Sequence, residues 1–107
     1  MLTGVGFVPI VAISALTGKD SAQQAFNRDI SKVYDKSLAV LKRIGKVNSA
    51  DKTSAVISGE AEGANITIKL EAVSSRKTEI TVSARSFFMP KPEIASGVMY
   101  RITEELK

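Results

Sequence analysis

The strongest constraint on this chain lies between residues 64 and 87, where two runs alternate with a period of two. From Ala64 to Val73, Ile66, Ile68, Leu70 and Ala72 alternate with Asn65, Thr67, Lys69 and Glu71. From Thr78 to Phe87, Ile80, Val82 and Ala84 alternate with Glu79, Thr81, Ser83 and Arg85. Successive side chains of an extended chain point to opposite sides, so each run is apolar on one face and polar on the other. Ser74-Ser75-Arg76-Lys77 supplies the turn between them. Strands of this kind build an antiparallel sheet with one solvated side, and their apolar side must be covered.

Two segments with the helical period supply that cover. Asp29 to Ile44 places Ile30, Val33, Tyr34, Leu38, Leu41 and Ile44 in one stripe. Asp29 or Ser31 is placed to cap its first turn. Gly45 is expected to end it in the left-handed conformation, with Lys42, Arg43 and Lys46 complementing the negative end. Met89-Pro90-Lys91-Pro92 is expected to break the sheet, because proline offers no amide to a ladder. Pro92 then opens a second helix, with Ile94, Val98, Ile102 and Leu106 recurring every four residues.

Shorter strands fill the rest: Ala22 to Arg28 around Phe26, Lys46 to Ala50, and Ser54 to Glu62. In the last, Ala55, Ile57 and Ala61 lie on one side and Val56 on the other. Asp51-Lys52-Thr53 marks a turn and Gly63 a tight hairpin. The order is strand, helix, antiparallel strands, helix. It predicts an α+β fold, a two-layer sandwich with an antiparallel sheet of four or five strands and two helices on one face. Residues 19–107 form this single domain, and residues 1–18 stand apart as an apolar leader.

No charged residue occurs from Leu2 to Gly18, yet the stretch falls short of the about 20 residues a membrane-spanning helix needs. Gly4, Gly6 and Pro9 weaken it further, and no basic segment precedes it as in a secretory signal. It reads as a trimmed signal or anchor, a buried element, or an apolar arm. As an arm, residues 2–13 would make a homo-oligomer by adding a strand to a sheet edge or crossing to a second chain.

Among 107 residues there is no Cys and no His, which excludes thiol and imidazole catalysis, zinc fingers and haem ligation by those residues. Neither Gly4-Val5-Gly6 nor Gly18-Lys19 makes a nucleotide-binding loop. The sequence therefore predicts no enzyme, no catalytic residue, no metal site and no cofactor.

The net charge of +4 favours anionic partners only where charge clusters. Lys32, Lys36 and Arg43 lie opposite the apolar stripe of the first helix and are the candidate contact for an anionic surface. An ordinary solvated helix face is the plainer account of that row. Nucleic acid is disfavoured as a partner, since the outward sheet positions hold Thr, Lys, Glu, Ser and Arg rather than stacking aromatics. Glu60 with Glu62, and Glu71 with Glu79, are expected to form cross-strand ion pairs with basic neighbours such as Lys69 and Arg85.

Phe87, Phe88 and Met89, at the corner between sheet and second helix, are the candidate apolar contact for a partner or acyl chain. The plainer arrangement has one Phe closing the core and the other at its rim. Tyr34 and Tyr100 are expected at the core edge with their hydroxyls toward water.

The phrases "ISKVYDKSLAVLKRIGKV", "ANITIKLEAVSSRKTEITVSAR" and "ASGVMYRITEEL" together resemble those of a family of small bacterial lipoproteins of unknown function. The resemblance runs from Ala22 to the C-terminus. In that family a lipid-modified cysteine precedes an apolar Gly/Ala-rich segment, which Leu2 to Gly18 looks like, although this chain has no cysteine and no basic segment before it. The resemblance implies a periplasmic, membrane-tethered location, with another envelope protein or the membrane surface as partner, and supplies no site residues. The expectation is a non-catalytic, envelope-associated domain with a binding or structural role. The alternative is a small basic cytosolic module that associates with nucleic acid through the helix at 29–46, in the cytoplasm if no signal precedes it.

Overall fold

A computed structural model describes residues 21–87 and 89–107. The leader, with the strand-adding residues 2–13, and Phe88 lie outside the described residues. The elements are β1 (Ser21–Phe26), α1 (Ile30–Ile44), β2 (Lys46–Asp51), β3 (Val56–Ala61), β4 (Ala64–Ser74), β5 (Lys77–Ser86), β6 (Met89–Pro90) and α2 (Pro92–Glu105). All strand pairs are antiparallel, in the order β1-β5-β4-β3-β2, with β6 pairing β5 at Arg85 and Ser86. The fold is α+β, a sheet packed against helices. Its core joins Val33, Leu41, Val98 and Ile102 of the helices to Ile57, Ile66, Ile68, Ile80 and Val82 of the sheet.

The alternation read from the sequence sets this packing. Ile66, Ile68 and Leu70 pair in register with Ala84, Val82 and Ile80, so both strands turn the same apolar face to the helices. Ala72 departs from expectation and is exposed, as is Val73. The β4–β5 hairpin tip projects past the helical cover, beyond a register shift between Ala72 and Ser74.

Among the described residues the sheet has six strands rather than four or five. The segment expected to break it instead makes β6, with Pro90 opposite Arg85. A proline is tolerated at such an edge because its missing donor would face away from the ladder. Lys91 continues the connection, its amide donating to the Ala84 carbonyl at 2.9 Å.

Asp29 caps α1 by accepting a hydrogen bond from the Lys32 amide at 3.0 Å. At the other end Gly45 is extended (φ −164°), not left-handed. Glycine is needed there for space. A Cβ on Gly45 would run into the Glu60 carbonyl oxygen, and one on Gly59 would strike the Lys46 carbonyl oxygen and the Leu41 side chain. Helix α1 passes into β2 through this single residue, so the junction lies directly on β3.

The apolar face of α1 is rotated from the expected stripe. Val33, Tyr34, Ser37, Val40 and Leu41 are buried, whereas Ile30, Leu38 and Ile44 sit at the margin. The helix is covered on two sides, by the sheet and by α2, which a single-stripe reading does not anticipate. Tyr34 is buried with the Lys52 ammonium 5.7 Å from its ring centre, but Tyr100 is 65% exposed on α2 rather than at the core edge.

Helix α2 has no basic residue in its last turn. Arg28 supplies one from the β1–α1 connection, donating to the Leu106 carbonyl at 3.0 Å. Thr78, buried opposite, donates to the Arg28 carbonyl at 2.9 Å and fixes that connection.

Candidate functional site

Two hairpins end side by side on the sheet and shape its most unusual corner. Between β3 and β4, Glu62 (φ 52°) and Gly63 (φ 79°) link the paired residues Ala61 and Ala64. Positive φ at both central residues is the type I′ geometry, whose twist matches that of the strands. At the end of β5 the chain reverses between the paired residues Ser86 and Met89. Phe87 takes φ 52° there and is 90% exposed, while Met89 is 60% exposed.

Phe87 therefore does not close the core. Holding a bulky L-residue in the left-handed region costs about 1–2 kcal/mol, and an unburied ring forgoes roughly 1.5–3 kcal/mol of hydrophobic stabilisation. Neither cost is offset within the described fold. Phe88, the other half of that expectation, lies outside the described residues.

Beside Phe87 is an open concavity of about 510 Å³ lined by Gly63, Asn65, Thr67, Ser83, Arg85 and Ser86 as well as Phe87 itself. Register explains this lining. Asn65 pairs with Arg85 and Thr67 with Ser83, and these residues alternate with buried Ile66 and Ala84, so they share the outer, polar face. The row through Thr67 and Ser83 continues across every long strand as Ser49, Ser58, Thr67, Ser83 and Ser21, each a hydroxyl residue. The Ser21 and Ser83 hydroxyls are 3.1 Å apart, and Gln23 donates its side-chain amide to Thr81 Oγ1 at 3.1 Å.

The basic row on α1 is less exposed and less free than expected. Lys32 is exposed, Lys36 is half-buried, and Arg43 reaches Glu105 with Nη2 to Oε2 at 3.0 Å. Asp35, on the same helix, pairs with Lys52 at 3.3 Å. Asp35 thus interrupts the row, and one of its three cations ties α1 to α2.

The carboxylate pairs do not assemble as expected either. Glu71 stands directly opposite Glu79, while Lys69 stands opposite Thr81 and Arg85 opposite Asn65. Among the described residues, the ion pairs join Arg43 to Glu105, Lys52 to Asp35 and Lys107 to Glu104, and none uses Lys69, Glu71 or Glu79. Glu60 accepts instead from the Asn48 amide at 3.3 Å.

The sequence singled out Phe87 and Met89, but not Asn65, Thr67 or Ser83. Alternation marks those three as outward, and only the strand register brings them to one place beside Phe87. Among the described residues no group of three His, Cys, Asp or Glu could hold a metal ion, and no helix is long and apolar enough to cross a membrane. The chain matches no protein-family model and no curated protein.

Proposed function

We propose that this protein is a non-catalytic binding domain of the bacterial cell envelope, tethered through its N-terminal side and engaging its partner at the Phe87–Met89 corner. The observation that carries this reading is Phe87 itself, 90% exposed in a conformation that disfavours its side chain. A bulky apolar residue held in a strained conformation with its ring open to solvent marks a place where contact with something else supplies the return. The uncharged Leu2–Gly18 segment and the resemblance to small lipoproteins support the envelope setting. The interrupted basic row on α1 gives less support to the nucleic-acid alternative.

Fractionation of the native cell tests the setting, and a photoreactive residue at position 87 tests the surface. The expected result is recovery in the envelope fraction, with cross-links from position 87 and few from the exposed Ala39 on α1. Recovery in the cytosol would overturn the setting. Cross-links no more frequent from 87 than from 39 would overturn the surface.

A further inference from the structure

The concavity beside Phe87 is lined by one aromatic residue and by the hydroxyl and amide residues Asn65, Thr67 and Ser83. Each hydroxyl can donate and accept, and the Asn amide does both at separate atoms. Such a set suits a ligand dense in groups that also donate and accept. An exposed Phe ring in the same wall suits a flat, apolar C–H surface. A pyranose ring carries both, with C–H bonds on its face and hydroxyls around its rim. The volume of about 510 Å³ lies within the roughly 300–1,000 Å³ typical of small-ligand sites.

Other ligand classes fit less well. A nucleic-acid backbone needs several cations along its path, and Arg85 is the one charged residue in the lining. An acyl chain needs an enclosed apolar channel, whereas this concavity is open and Asn65, Thr67, Ser83 and Arg85 interrupt its apolar surface.

We propose that this concavity binds a pyranose saccharide, with Phe87 stacked on a sugar face and Asn65, Thr67 and Ser83 bonding its hydroxyls. The assignment rests on the binding reading of the Phe87 corner and names its ligand; it does not depend on the cellular setting. From Ser83 to the end of β5 at Ser86 the strand path spans about 10 Å at the usual rise per residue, and Phe87 follows in the turn. The site therefore has the length for a short oligosaccharide, which should bind more tightly than a single sugar.

The test applies the full chain to an array of linear and branched pyranose oligosaccharides, then titrates the hits against the labelled protein by NMR. Expected are hits whose addition shifts the amide signals of Asn65, Thr67, Ser83 and Phe87. Phe87→Gly should weaken binding at least tenfold and Asn65→Ala at least fivefold, both with native-like spectra, while Ala39→Ser on the helical layer changes nothing. Glycine accepts positive φ, so the Phe87 variant keeps the turn.

The proposal is overturned if no saccharide binds at millimolar concentration, if the shifts map to the helices, or if Phe87→Gly and Asn65→Ala retain full affinity. An empty array together with position-87 cross-links to an envelope protein would sink the saccharide alone and leave the binding surface standing. Saccharide binding by a chain recovered from the cytosol would do the reverse.

Discussion

At Phe87 the demands of folding and of contact pull in opposite directions, and their magnitudes can be compared. Replacing it by Gly relieves about 1–2 kcal/mol of left-handed strain and adds about 0.4–1 kcal/mol of unfolded-state entropy. The exposed ring has no burial to lose. Phe87→Gly should therefore raise stability by about 0.5–1 kcal/mol, read as a higher urea midpoint; a lower midpoint would show that the ring supports the fold. Ser37 presents a similar conflict inside the core. Its Oγ is buried in α1 with no hydrogen-bond partner, and an unsatisfied buried hydroxyl costs about 1–3 kcal/mol. Alanine removes that group, leaves almost no void and favours the helix. Ser37→Ala should stabilise by about 1 kcal/mol in the same assay, and a loss of stability would mean that the hydroxyl has a partner after all.

At the scale of elements, the α1–β2 junction is the least forgiving place. Gly45 and Gly59 let the end of the helix and β3 approach to backbone contact, and a methyl group on either must push those backbones apart. Overpacking of this kind typically costs about 1–3 kcal/mol. The obstacle here is backbone rather than a side-chain end, so Gly45→Ala and Gly59→Ala belong at the upper part of that range. Gly97, exposed with open space around it, should instead gain about 1 kcal/mol on change to Ala through helix propensity. Thermal unfolding of the three variants checks the order, and a neutral Gly59→Ala would contradict it.

Elements of this kind also show where sequence reading stops. The cap of α1, which falls to Asp29 of the two candidates Asp29 and Ser31, and the alternation around Ile66–Ile68 and Ile80–Val82 are local patterns, and they stand in the structure. The reason for Gly45, the strand made by Met89–Pro90 and the burial of Val40 and Ser37 depend on what packs against them from elsewhere in the chain. The site divides in the same way. Phe87 and Met89 stood out by composition and position, but their exposure did not. Asn65, Thr67 and Ser83 become one surface only through the pairing of β4 with β5.

The whole molecule has two unlike surfaces. One side of the sheet is closed by two helices whose outer residues carry mixed charge and are cross-linked by Arg43–Glu105. The other is a polar face crossed by a line of hydroxyl residues and ended by Phe87. On the proposed reading the first side accounts for stability and the second for recognition, and exposed Tyr100 on α2 provides a reporter for the first. Hydroxyl-radical footprinting of the full-length protein, purified and within the envelope in which it is proposed to lie, separates the two surfaces in one measurement. Phe87 should lose reactivity in the envelope sample while Tyr100 keeps it. Unchanged labelling of Phe87, or protection confined to Tyr100, would contradict the assignment of recognition to the sheet face.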